Sequence, residues 1–287
     1  MQVFTRIPGL QDHLLSQGDQ GHKIAFVPTM GALHAGHLSL IDKAHELADK
    51  VVASIFVNPA QFNDVKDLEH YPRPLFQDLK LLEDNQTNTL FLPGTEDIYP
   101  PGIDLQVNVD FNQLTQVMEG VYRPGHFEGV IKVVSRLLDI VKPNYLIMGQ
   151  KDFQQVTIIR HMIEQLKLPV SLVANPIVRE SDGLALSSRN VRIDPTLRRG
   201  ANAIYQCLKE AEKKWRYASP VQVRERGMAH LRDAGFRPEY FAVVDGYSLD
   251  RISEWDQHDF IVICVAAWLG NVRLIDNLIL QEPASHS

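Results

Sequence analysis

From residue 23 to residue 174 the chain alternates short runs dense in apolar and β-branched residues with longer stretches of helical periodicity, and that alternation leaves few folds open. Residues 23–27 read as a strand, and 36–50 as a helix with Leu38, Ile41, Ala44, His45 and Ala48 at helical spacing. Residues 51–57 form a near-continuous apolar run, as expected of a strand covered on both faces. The same criteria give a helix at 75–83, a strand at 89–92, a helix at 125–141 ended by Pro143, a strand at 145–148, a helix at 152–166 and a strand at 170–174. Strands that alternate with helices predict a doubly wound parallel sheet of the Rossmann-like kind.

Beyond residue 177 the pattern changes. Two polar helices, 195–217 and 220–234, precede strand-like runs at 240–244, 260–268 and 272–280, the order of a smaller α+β domain with an antiparallel sheet. The joint is expected in the loop 175–188, where Gly, Pro and Ser collect, which divides the chain into domains 1–177 and 178–287. With 287 residues, 45% of them hydrophobic and 22% charged, such a chain can bury a sizeable core without disulfides. Its net charge of -6 gives no general reason to bind nucleic acid or an anionic membrane. Cys207 and Cys264 lack zinc-finger neighbours and read as buried thiols of a reducing compartment. Residues 1–20 carry Asp12 and Asp19 and no signal-peptide core, and the longest apolar run, 260–269, is too short to span a membrane. The expected location is cytoplasmic.

Chemistry concentrates at the predicted strand-to-helix turns. Pro28-Thr29-Met30-Gly31-Ala32-Leu33-His34-Ala35-Gly36-His37 lies between a buried strand and an amphipathic helix, where α/β sheets bind phosphates. Gly31 permits a backbone conformation closed to other residues, and Gly36 allows a phosphate near the helix start. His34 and His37, three apart, can point the same way and donate to a triphosphate. Capping or packing histidines would show the same spacing, and a zinc pair lacks a third ligand motif. The second turn, Met148-Gly149-Gln150-Lys151-Asp152-Phe153-Gln154-Gln155, offers Lys151 to a phosphate and Asp152 to ribose hydroxyls or to a helix N-cap. In Asp182-Gly183-Leu184-Ala185-Leu186-Ser187-Ser188-Arg189-Asn190, two hydroxyls and a guanidinium on a Gly-hinged loop make either a phosphate clamp or a polar linker. Arg123-Pro124-Gly125-His126-Phe127 places an Arg and a His at a helix start. Asn58-Pro59-Ala60-Gln61-Phe62 places amides directly after a buried strand, suited to neutral or carboxylate groups.

P-T-M-G-A-L-H-x-G-H, F-V-N-P-x-Q-F, Y-P-R, R-P-G-H-F, G-x-K-D-F-Q-Q and D-G-L-A-L-S-S-R-N occur in this order between residues 24 and 190. The set resembles the pantothenate synthetase (pantoate–β-alanine ligase) family, of the nucleotidyltransferase type that shares H-x-G-H with class I aminoacyl-tRNA synthetases. Residues 265–277, V-A-A-W-L-G-N-V-R-L-I-D-N, resemble the C-terminal end of that family. Met148 stands where an aromatic is common, and Val191-Arg192 replaces a usual Tyr-Leu pair. Neither departure touches a polar role.

The resemblance implies an ATP-dependent ligase that condenses pantoate with β-alanine through pantoyl adenylate, giving pantothenate, AMP and pyrophosphate. By position it implies that Met30, Gly31, His34, Gly36, His37, Gly149, Lys151, Asp152, Ser187, Ser188 and Arg189 bind ATP. His37, His34, Lys151 and Arg189 are its catalytic candidates. Gln61, Gln155 and Asn58 are implied for pantoate, and Gln61, Arg123 and His126 for β-alanine. Asp78 is a weaker candidate for the Mg²⁺ environment, through water. Residues 1–177 would then bind ATP and pantoate, residues 178–287 would act as a lid, and the protein would be a homodimer. The rival enzyme is another H-x-G-H nucleotidyltransferase, whose phosphate acceptor calls for Arg or Lys where Gln61 and Gln155 stand. A class I synthetase of tRNA is disfavoured by the short, acidic chain. A catalytically silent nucleotide-binding module predicts loss of at least one of His34, His37, Lys151 and Arg189, and all are present.

Overall fold

A computed structural model describes residues 1–63, 65–102 and 105–282. Its elements, in chain order, begin with β1 (Gln2–Phe4), α1 (Ile7–Asp19), β2 (Ile24–Thr29), α2 (Ala35–Leu47) and β3 (Lys50–Ile55). There follow α3 (Val65–Glu69), α4 (Leu75–Asp84), β4 (Thr89–Phe91), α5 (Thr95–Ile98), α6 (Glu119–Tyr122), α7 (His126–Val141), β5 (Tyr145–Gly149), α8 (Phe153–Gln165) and β6 (Ser171–Asn175). The last are α9 (Ala203–Lys214), α10 (Pro220–Asp233), β7 (Arg237–Asp245), β8 (Ile261–Leu269) and β9 (Val272–Gln281).

The chain divides into two compact units. The first comprises Met1–Phe111, Arg123–Gly149 and Ile158–Pro176, and the second Asn112–Tyr122, Gln150–Thr157 and the chain from Ile177 onward.

In the first unit six strands run parallel in the order β1-β4-β3-β2-β5-β6. The chain steps outward from β2 through β3 to β4, then crosses back to place β5 on the other side of β2. That reversal opens a crevice beyond the carboxyl ends of β2 and β5, the position where open α/β sheets receive ligands. Ala25, Phe26 and Val27 of β2 and Val51, Val52 and Ala53 of β3 are fully buried, which explains their near-continuous apolar sequence. Leu40, Ile41 and Ala44 of α2 share one core cluster with Ala25, Val27, Val51 and Ala53. The sheet gains an edge strand and a helix, β1 and α1, that periodicity does not announce. β1 is three residues long, and Pro8, Gly9 and Gly18 in α1 are poor helix formers.

The second unit is built on the antiparallel meander β7-β8-β9. Helices α9 and α10 bring Ile204, Cys207, Leu208, Val223 and Leu231 onto the core formed by Phe241, Ile261, Ile263 and Val265. The helix expected over 195–217 is interrupted: 3₁₀ turns at Arg198–Gly200 and Trp215–Tyr217 flank α9. Both cysteines are buried free thiols, and burial pushes Cys207 up to about 12.

A buried ionic cluster fastens residues 112–122 into this unit. Arg273 donates to both oxygens of Glu119, at 2.6 and 2.8 Å, and through Nε to Glu239 at 2.8 Å. The Tyr240 hydroxyl donates to Glu119 at 2.6 Å, and the indole of Trp268 to Glu239 at 2.6 Å. Buried charges of this kind persist only when paired and hydrogen-bonded, and each is. Gln154 adds a second fastening: its amide donates to the carbonyls of Leu114 and Val117 and accepts from the Glu119 N–H.

Candidate active site

The turn after β2 is held by one carboxylate. Asp78 on α4, only 2% exposed, accepts from the N–H groups of Ala32 and Leu33 at 2.9 and 2.8 Å. Gly31 and Ala32 both take positive φ, 77° and 51°, and this aims the two amides at Asp78. A Cβ at Gly31 would lie 2.9 Å from an Asp78 oxygen and 3.0 Å from Ile55, so glycine is required by space as well as by conformation.

The helix that follows is capped by the two histidines together. Gly36 N–H donates to His34 Nδ1 at 3.1 Å, and His34 N–H donates to His37 Nδ1 at 3.3 Å, with ring centroids 4.1 Å apart. The capping role and the phosphate role drawn from the spacing are therefore compatible. Because both Nδ1 atoms accept, each neutral ring carries its proton on Nε2 and presents that nitrogen as a donor.

A second group in the same unit surrounds Gln61, at the end of the 3₁₀ turn Pro59–Gln61. Asn58, 1% exposed, donates from its amide to the Gln61 side-chain oxygen at 3.1 Å and to the Gly129 carbonyl at 3.1 Å. Gln61 in turn directs its own amide nitrogen to the sulfur of Met30 at 3.0 Å. His126 at the start of α7 donates from Nδ1 to the Gln61 carbonyl, 2.9 Å away, and its Nε2 receives Arg123 at 3.1 Å. Thus Met30, Asn58, Gln61, Arg123 and His126, drawn from three separate motifs, form one connected set.

Two further residues that support this set belong to no motif. The Tyr99 hydroxyl donates to the Asn58 side-chain oxygen at 2.8 Å, and burial raises its pKa to about 12, so it remains a donor across the physiological range. Gly129 lets α7 lie directly on the 3₁₀ turn, where a Cβ would sit 2.2 Å from the Ala60 carbonyl oxygen.

In the second unit, β5 has run out at Gly149 into the 3₁₀ turn Gln150–Asp152. Lys151 and Asp152 are 4.0 Å apart, too far for a tight pair, and Gln155 is half-buried in the first turn of α8. Residues 178–186 form a hairpin rather than the hinged loop that Gly183 suggests. Leu186 N–H reaches the Val178 carbonyl and Gly183 N–H the Glu180 carbonyl, while Gly183 itself, at φ 98°, packs under the Tyr205 ring. Arg198 pins the hairpin, donating to Asp182 and Glu180 at 2.6 Å each, and holds the Asp182 carboxyl below its ordinary range. Ser187 closes the segment by accepting from the Arg189 N–H at 3.2 Å, with Ser188 and Arg189 half-buried beside it.

For magnesium the donor set fits poorly. Both oxygens of Asp78 are taken by backbone amides, and among the described residues no group of three His, Cys, Asp or Glu side chains converges on a metal position. Asp78 shapes the turn. Among the described residues no helix is long and apolar enough to cross a membrane.

The pantoate-beta-alanine ligase family model matches residues 2–279. A pantothenate synthetase of Bacteroides fragilis is 44% identical over 98% of this chain and the whole of that protein. One from Pseudomonas putida is 46% identical over 91% of each. Among solved structures, pantothenate synthetase from Thermus thermophilus superposes with a TM-score of 0.91 at 39% identity, covering 98% of this chain and all of that one. The pantoate-beta-alanine ligase of Francisella tularensis, complexed with beta-gamma ATP and beta-alanine, gives 0.82 at 36% identity over 98% of each chain.

Proposed function

The chain belongs to the pantoate–β-alanine ligase family, and from that premise we propose that it forms pantothenate in two steps on the residues described above. In the first, the pantoate carboxylate attacks the α-phosphorus of ATP and pyrophosphate leaves. In the second, the amine of β-alanine attacks the acyl carbon of pantoyl adenylate, losing a proton as AMP departs. A carboxylate is already ionised at neutral pH, so the first step needs positioning and charge stabilisation rather than a base.

The observation that carries this reading is the histidine cap. Two Nε2–H donors held by backbone bonds at the carboxyl end of β2 suit phosphate oxygens whose charge grows during attack. The first unit supplies His34 and His37, the Met30 to Gly36 turn, and the amides Gln61 and Asn58 for pantoate. Gln61, Arg123 and His126 receive β-alanine. The second unit supplies Gly149's neighbours Lys151 and Asp152 for phosphate and ribose, Gln155 for pantoate, and Ser187, Ser188 and Arg189 for the triphosphate. Magnesium would come with the nucleotide and offset the charge of its phosphates, with Asp78 reached at most through water. A homodimer in the cytoplasm completes the proposal.

The test is AMP release from ATP that requires both pantoate and β-alanine. Lys151→Ala should slow pantoate-dependent pyrophosphate release by about 10²–10³-fold in folded protein. A rate within a few-fold of wild type removes Lys151 from the chemistry. AMP transfer onto a phosphate acceptor instead would make the chain a nucleotidyltransferase. The lid role of residues 178–287 has a separate readout: hydrogen exchange across 175–190 should slow on adding ATP, and unchanged exchange at saturating nucleotide would dismiss it.

A further inference from the structure

Asp276 and Asn277 sit side by side in β9, each 2% exposed. Adjacent strand residues face opposite sides of a sheet, so the chain buries a polar group on both sides at once. Such burial is costly unless every group finds a partner. Both do. Asp276 takes a bidentate pair from Arg179, at 2.6 and 2.9 Å. Asn277 spends both amide hydrogens on main-chain carbonyls, those of Gln150 and Lys151, each at 2.9 Å. Its side-chain oxygen accepts from the Gln150 amide at 3.0 Å. Two carbonyl acceptors fix which end of the amide carries the nitrogen.

This pattern specifies asparagine. Aspartate would turn an anionic acceptor toward two carbonyl oxygens, and a shorter side chain would lose both of these bonds. The residue held in this way is the lysine in the 3₁₀ turn that follows β5. The neighbouring Arg179 also donates to the Gly183 carbonyl at 3.1 Å and lies over the Tyr205 ring, 4.0 Å from its centroid. Two adjacent residues of one strand therefore fix the Lys151 turn and the base of the hairpin that leads to Ser187 and Arg189.

We infer that Asn277 is a positioning residue for Lys151, setting where that ammonium stands during adenylate formation without touching the substrates itself. The inference rests on the reading of Lys151 as a phosphate ligand. The holding group is neutral, so it orients the lysine turn without offsetting the charge that phosphate would meet. A displacement of about 1 Å in such a group can cost on the order of 10²-fold in rate.

The experiment is a double-mutant cycle on the full chain, reading pre-steady-state pyrophosphate release and steady-state kinetics. Asn277→Ala should lower the rate of adenylate formation roughly 10–100-fold, with KM for pantoate and β-alanine within about two-fold of wild type. Asn277→Asp should be at least as damaging despite its closer shape. In a Lys151→Ala background, Asn277→Ala should cost less than about two-fold more, because its effect passes through the missing ammonium. A full, additive loss in that background overturns the inference, as does an Asn277→Ala or Asn277→Asp protein as fast as wild type. If Lys151→Ala alone leaves the rate unchanged, the reading of Lys151 falls, and the inference falls with it. Should Asn277→Ala not fold, Gln150→Ala removes only the return bond to the Asn277 oxygen. It should show the same selective loss of adenylation rate at about 3–10-fold, and a rate within two-fold of wild type overturns the inference.

Discussion

The two candidate phosphate-binding turns are held by opposite chemistry. After β2, a buried carboxylate, Asp78, accepts from two backbone N–H groups. After β5, a buried amide, Asn277, donates to two backbone carbonyls. Each clamp matches the groups that its turn presents to it. The first turn leads into α2 through Gly31 and Ala32 at positive φ and turns amides inward. The second passes from a strand into a 3₁₀ turn and leaves carbonyls inward. The difference also divides the electrostatic burden. A negative clamp is tolerable beneath the first turn because its charge is spent on two amides. The second stays neutral beside a lysine whose charge the proposed reaction needs.

The comparison breaks most readily at the charged clamp. Asp78→Ala strands two buried donors, each costing about 1–3 kcal/mol, so the loss should be roughly 2–6 kcal/mol in urea unfolding. A loss below about 1 kcal/mol would mean that the turn finds other partners and that the contrast between the clamps is superficial. In the same urea series the two glycines should differ. Gly31→Ala adds a left-handed penalty of about 1–2 kcal/mol to a clash with Asp78. Gly149→Ala meets no atom within 4 Å and should change stability by less than about 0.5 kcal/mol. Equal effects at the two positions would erase the distinction.

The smallest effect is expected from pH. Arg198 lowers the pKa of Asp182 beneath its ordinary 3.8. A depressed carboxyl contributes stability that is complete above the unfolded value and is lost as pH falls through the folded one. The hairpin should therefore loosen only below pH 3.8, and Arg198→Gln should flatten that part of the melting-temperature profile. The pair is partly exposed, so the amplitude should be small and should shrink further in salt. A profile identical in the two proteins would show that the hairpin does not depend on this pair.

Much of this was legible in the residues. Buried parallel strands announce themselves as unbroken apolar runs, as at residues 51–57, where β3 forms. The turns that break such runs expose Gly, His, Lys and Asn where chemistry has to occur. What was not legible acts at long range. Tyr99 and Gly129 support Gln61 through tertiary contacts, and neither sits in a recurring pattern of spacing. Gln154 and Gln155 are neighbours of the same type, yet Gln154 is consumed by the carbonyls of Leu114 and Val117. Nothing in the sequence around Asp78 signals the two backbone amides that it accepts from. The assignment of 112–122 to the second unit depends on Arg273, a partner 154 positions away.

That separation also sets a clock. A ribosome adding about 5–20 residues per second needs roughly 8–30 s to travel from Glu119 to Arg273. During that interval the nascent chain holds a carboxylate whose counter-ion has not been made. Asn277 is synthesised later still, so the lysine turn completed long before it gains its holding amide only as β9 emerges. Newly made protein would thus acquire its sheet early and its competence for adenylation late, with little opportunity to engage ATP while half-built.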